Sequence, residues 1–147
     1  LGESFRNSPA VFRTAQQEFA EHIDQWGYVE SEAKYRAWLS RADFAVSTAT
    51  HEFFGMGIVE ALAAGAIPLV PNRLAYPEVL SKCDLPIETE ALIYGQTAAD
   101  LVATITRLAN ARQAPELRTR LSQAALPFTW TSRTQQLDDA LQATLRD

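Results

Sequence analysis

One cysteine, two histidines and six glycines are spread over 147 residues, and each scarcity excludes something. Cys83 alone cannot close an internal disulfide, so a reducing, cytoplasmic setting is expected. His22 and His51 have no histidine or cysteine neighbours at metal-ligand spacing, and no Asp-x-Asp pair occurs, so no metal site is expected. Long hydrophobic runs are missing too. The richest segment, IVEALAAGAIPLV, is interrupted by Glu60, Gly65 and Pro68, well short of the roughly 18 residues a membrane span needs. No basic stretch followed by an apolar one marks a signal peptide. Positive charge is in the minority, 13 Lys and Arg against 18 Asp and Glu, and a net charge of -5 is the wrong sign for a surface that grips nucleic-acid phosphates. Arg107, Arg112, Arg118 and Arg120 do cluster, and they are read as solvated helix surface.

What is present is an alternation of helical and short apolar segments, without internal repeats, in a length suited to one domain. PAVFRTAQQEFAEHI spaces Val11, Phe12, Ala15, Phe19 and Ile23 as one helix face, with Pro9 suited to the first turn. WGYV reads as a short strand, and SEAKYRAWLSRA as a helix capped by Ser31. DFAVST and IPLVP are β-compatible runs flanking the Ala-rich FGMGIVEALAAG, which predicts a βαβ unit with Gly65 capping its helix. A short strand around ALIY follows, then helices in AADLVATITRLAN, PELRTRLSQAAL and SRTQQLDDALQATL. The expected fold is α/β, a Rossmann-like open parallel sheet with helices on both faces and a helical C-terminal tail. Trp26, Trp38 and Trp130 are expected to be packing anchors. The first residue is Leu rather than Met, and LGESF reads as the end of a strand, so the sequence is expected to be a piece of something longer.

Ligands of such sheets lie beyond the carboxyl ends of the strands, where THEFFGMG leaves DFAVST. Gly55 and Gly57 suit a tight strand-to-helix passage and a close ligand approach, and the unpaired amides of a helix start attract anions such as a diphosphate. Glu52 stands before that turn and Glu60 within about one helical turn after it. One carboxylate could then hold each end of a nucleotide sugar, with the diphosphate between them. The plain alternative leaves Glu60 complementing the helix dipole and Glu52 as a solvated loop residue. A glycosidase-like acid/base pair is a weaker use of two carboxylates, because nothing fixes their separation across a scissile bond.

Glu52, seven intervening residues and Glu60, set in EFFGMGIVEALAAG and followed by IPLVP, resemble the E-x7-E signature of retaining glycosyltransferases with the two-domain GT-B fold, of the group 1, family 4 type. The usual Gly-Gly-x-x-E-like segment is replaced by PNRLAYPEVL. That variant, with WGYVES, STATHEFFG and PFTW, is similar to the branch acting on queuosine in tRNA. The resemblance covers nearly the whole chain, as the C-terminal, donor-binding half of such an enzyme. It implies that Glu52 contacts donor-sugar hydroxyls in catalysis and that the Phe54, Gly55, Met56 and Gly57 segment offers donor-binding backbone. Glu60 would hold the ribose, Tyr28 and Val29 would border the base, and Arg73 and Glu78 would approach the donor from the loop after IPLVP. Tyr28 read by itself is an ordinary, partly buried aromatic. The implied donor is GDP-mannose, and the implied partners are an N-terminal acceptor-binding domain and, through it, a tRNA acceptor. No cofactor is implied. A non-catalytic nucleotide-binding or interaction domain remains the competing class, since fold alone does not establish chemistry.

Overall fold

A computed structural model describes residues 9–110, 114 and 116–145 of the chain. The expected strand end in LGESF, together with Arg112 and Pro115, lies outside the described residues. Two compact units divide the chain, Leu1–Trp38 and Leu39–Asp147.

In the first unit, α1 (Ala10–Glu18) follows Pro9, which sits at the N-cap rather than within the first turn. Phe19 closes the helix, a 3-10 turn spans Ala20–His22, and Ile23 is extended. The helix therefore forms where the periodicity predicts it but stops short of the full segment. Val11, Phe12 and Phe19 of the expected apolar face are at least half exposed. WGYV is not a strand. Gly27 adopts φ 79°, a left-handed conformation that interrupts an extended ladder, and the residues around it are irregular. The boundary between the units falls inside α2 (Glu32–Arg41), whose start is capped by Ser31 Oγ accepting the Lys34 amide at 3.4 Å.

The second unit is built on the strands β1 (Phe44–Val46), β2 (Ile67–Pro71) and β3 (Ile93–Tyr94), parallel and in the order β1-β2-β3. Phe44 pairs with Ile67 and Val70 with Ile93. A central strand with two prolines looks self-defeating, since each lacks an amide donor. The register resolves this. Residues 67 and 69 bond toward β1, through Ile67 N to Asp43 O and Ser47 N to Leu69 O, whereas the Asn72 amide turns toward Tyr94 O of β3. Pro68 thus faces the side where β3 has not yet begun, and Pro71 faces β1 beyond its last residue. Every residue of β2 is buried.

Between β1 and β2 runs α3 (Met56–Ala63), whose Ile58, Val59, Ala61 and Leu62 are buried while Glu60 is exposed. It ends in a Schellman motif: Gly65, at φ 84°, donates to Leu62 O, and Ala66 donates to Ala61 O. A Cβ on Gly65 would fall 2.8 Å from the Arg118 carbonyl, so glycine is required there on two counts.

After β2 come α4 (Tyr76–Ser81), α5 (Thr89–Leu92), which takes the first half of ALIY before β3, and α6 (Ala98–Leu108). Thr97 and Asp100 close α6 with a reciprocal capping box. α7 (Leu117–Ala124) packs against α3, and α8 (Trp130–Thr144) forms the helical tail. Ile58, Leu62, Ile67, Leu69, Leu80, Leu92 and Leu121 lie at the centre of the core.

Two further expectations need correcting. Trp130 is 85% and Trp26 41% exposed, so only the half-buried Trp38 can serve as a packing residue, because α8 buries none of its described side chains. Arg118 is not solvated surface. Its guanidinium donates to Ala42 O at 2.9 Å, to Ser40 O and to Ala64 O at 3.2 Å, joining the approach to β1 to the end of α3. No helix among the described residues is long and apolar enough to cross a membrane.

Candidate functional site

The loop from Ser47 to Gly55 leaves the carboxyl end of β1 and turns into α3 through Gly55, a buried residue at φ 87°. A Cβ there would come within 2.8 Å of the Tyr76 ring. The tight passage expected of Gly55 is therefore present, and its cause is both conformational and steric. Gly57 is different: it sits in the first turn of α3, and a Cβ on it would meet nothing within 4 Å. The turn does not require glycine at 57.

Glu52 is exposed, and its carboxylate folds back on its own turn. Oε1 accepts the Phe53 amide at 2.9 Å and the Phe54 amide at 3.3 Å. The Gly55 amide, then that of Phe54, holds the carboxyl below its ordinary range, against a smaller desolvation effect and with help from Phe53. The Ile58 and Val59 amides turn onto Gly55 O, at 3.0 and 3.1 Å. Met56 and Gly57 stand at the helix start, where helix geometry supplies no carbonyl four residues back within the helix.

The loop after β2 meets this turn. Arg73 donates from Nε to Ala49 O at 2.9 Å and from Nη2 to Thr48 O at 3.2 Å. Leu74 has φ 60°. Counting back from Glu78, it occupies the first glycine of the Gly-Gly-x-x-E pattern, so the side chain departs from the pattern while the backbone keeps the conformation glycine favours. Glu78 is exposed in the first turn of α4 and pairs with Lys82 at 2.5 Å; that hydrogen bond, then the charge, lowers its pKa. Tyr28, in the other unit, is 63% exposed rather than partly buried, and Val29 is half-buried. His51 and His22 are both exposed. Cys83 donates to Val79 O at 3.4 Å, and burial pushes its thiol up, the opposite of an activated nucleophile.

Several residues around the turn escape sequence reasoning. Phe54 meets Phe128 edge to face at 5.6 Å, and the Arg133 guanidinium lies 4.9 Å from the Phe128 ring centre. PFTW pointed at Phe128 without naming its partner. Ser47, Tyr76 and Tyr94, linked by hydroxyl hydrogen bonds, had no local signal, because their contacts span 29 and 47 residues.

A parallel sheet with a helix-start turn at the end of β1, two glutamates around it and a second loop braced against it defines a Rossmann-like α/β domain. Residues 2–126 match the family described as Glycosyl transferases group 1, and the chain belongs to that family. It is similar to tRNA-queuosine alpha-mannosyltransferase of Drosophila melanogaster, 37% identical over 62% of this chain and 24% of the relative. It is also similar to GDP-mannose:cellobiosyl-diphosphopolyprenol alpha-mannosyltransferase of Komagataeibacter xylinus, 28% identical over 69% of this chain and 25% of the relative. The chain thus matches about a quarter of the length of each of these relatives.

Proposed function

We propose that this chain is the donor-binding part of a retaining glycosyltransferase that transfers mannose from GDP-mannose to queuosine in a tRNA. The observation that carries this reading is the turn from β1 into α3, with Glu52 before it and Glu60 after it, in a chain of the group 1 family. The similar proteins add a second argument. Their names share the mannosyl group and differ in the acceptor, so a segment resembling both is expected to carry what they have in common, the donor side. The greater identity with the queuosine enzyme favours queuosine as the acceptor.

In this reading the donor diphosphate lies against the start of α3, where the Met56 and Gly57 amides and the helix dipole favour negative charge. Glu60 accepts hydrogen bonds from the ribose hydroxyls. Glu52 turns from its own loop amides to the hexose hydroxyls, and the freed Phe54 and Gly55 amides face the sugar phosphate. Arg73 retains guanidinium donors beyond its bonds to Thr48 and Ala49, and with Glu78 it approaches from the loop after β2. Charge building on the leaving diphosphate is stabilised by fixed amides and cations. No metal is assigned a role, and an N-terminal domain supplies the acceptor site.

Calorimetry on the intact protein carrying this chain, with GDP-mannose, UDP-glucose and ADP-glucose as ligands, tests the donor assignment. Measurable binding of GDP-mannose and at least tenfold weaker binding of the other two are expected, a difference of about 1.4 kcal/mol. Equal affinities, or preference for a uridine or adenosine donor, would remove the guanosine and mannose assignments.

A further inference from the structure

Both ends of the loop that carries Glu52 are held by one side chain. Tyr76, at the start of α4 and only 2% exposed, shares a 2.6 Å hydrogen bond between its hydroxyl and Ser47 Oγ. Its ring lies against Gly55, close enough that a Cβ at 55 would come within 2.8 Å of it. Ser47 is held three times more, because its amide donates to Leu69 O at 2.9 Å, its carbonyl accepts the Tyr94 hydroxyl at 2.5 Å and its Oγ accepts the Ala49 amide at 3.2 Å. Between the two ends, Arg73 fastens the carbonyls of Thr48 and Ala49. The anchors thus come from all three strands: Ser47 follows β1, Arg73 and Tyr76 follow β2, and Tyr94 closes β3. Beyond these anchors the loop is tied by the Glu52 carboxylate on its own amides and by the Phe54 ring against Phe128. His51, Glu52 and Phe53 are exposed, and Phe53 is fully so.

We propose that Tyr76 is a positioning residue for sugar transfer, clamping the Ser47–Gly55 loop at both ends so that Glu52 is presented to the donor in one place. The proposal rests on the reading that Glu52 meets the donor sugar. Tyr76 is buried and acts through the loop, never on the substrate. Its two contacts have separable effects: the ring sets the floor under Gly55, and the hydroxyl fixes where the loop departs from β1. Precise placement matters because a shift of about 1 Å in a group that orients a substrate can cost about a hundredfold in rate.

Tyr76→Phe in the intact protein removes the hydroxyl and keeps the ring. Three readouts are needed: hydrogen exchange of the amides from 48 to 54, affinity for free GDP, and kcat for mannosyl transfer to queuosine-containing tRNA. Faster exchange confined to the loop, GDP affinity within about twofold and kcat at least about tenfold lower are expected. Ser47→Ala removes that bond and the acceptor of the Ala49 amide as well, so it should lower kcat at least as much, and the double variant should be no worse than Ser47→Ala alone, because the bond to Tyr76 is shared. Unchanged loop exchange and unchanged kcat in Tyr76→Phe would overturn the proposal. So would a kcat loss accompanied by faster exchange throughout β2 and α3, which would make Tyr76 a stability residue only. If the wild-type protein transfers no mannose, the functional reading fails, and loop exchange still decides whether Tyr76 clamps the loop.

Discussion

The chemistry of Glu52 departs from what its exposed position suggests. A solvent-exposed carboxylate would ordinarily titrate near 4.5, but the amides of Gly55, Phe54 and Phe53 stabilise its charged form. Because the folded pKa is depressed, the bonds that hold the turn are fully present above pH 4.5 and are lost as the pH falls through the lower folded value. Carboxyl-resolved NMR titration should place the Glu52 midpoint below 4.5, with the Phe53 and Phe54 amide signals shifting along the same curve. A midpoint at or above the ordinary value would show that the amides do not hold the carboxylate. Gly57 gives a second test at this scale. There is room for a Cβ and the residue is helical, so Gly57→Ala should stabilise the fold by about 0.5 to 1 kcal/mol. If the donor approaches the start of α3, the same methyl should weaken GDP-mannose binding. Thermal melting and calorimetry on one variant would separate the two effects, and a gain in stability with unchanged donor affinity would move the ligand away from Gly57. Glu60→Gln should leave the fold intact and weaken donor binding by roughly 1 to 3 kcal/mol, since a neutral amide is the poorer acceptor for paired hydroxyls.

Elements differ in how far they could be read in advance, for identifiable reasons. β1, α3 and β2 are legible because their signals are local: a short apolar run, a helix closed by Gly65, and a second apolar run. WGYV has the composition of a strand, but Gly27 is left-handed, a conformation composition does not reveal, and no described strand pairs with the segment. The exposure of Trp130 was equally hidden, since nothing in α8's own sequence states which faces lack a packing partner. In the site, Glu52, Gly55 and Glu60 were visible from spacing, while the Ser47, Tyr76 and Tyr94 linkage and the Phe54 contact with Phe128 depend on tertiary proximity. The structure adds a capping box of Thr97 and Asp100 at the start of α6. Thr97→Ala should cost about 1 kcal/mol, measured by denaturant unfolding, through the lost bond to the Asp100 amide. A change within experimental error would mean that water replaces the cap without loss.

At the scale of the whole molecule, the unit from Leu39 to Asp147 is organised around a strand buried along its full length, with the loops after β1 and β2 and the last residue of β3 fastened together at the proposed donor site. In the proposed reading the net charge of -5 is compatible with an RNA acceptor, because a separate domain would hold that acceptor. Phosphate recognition by amides and cations also predicts that transfer persists in EDTA; activity lost with the chelator and restored by manganese would place a metal at the diphosphate. The most direct test of the central claim is transfer itself. The intact protein carrying this chain is incubated with radiolabelled GDP-mannose and tRNA with or without queuosine, and label is counted in the RNA. Label confined to queuosine-containing tRNA, and strongly reduced by Glu52→Ala, is the predicted result. Absence of label from both RNAs, or equal label in the two, would contradict the account.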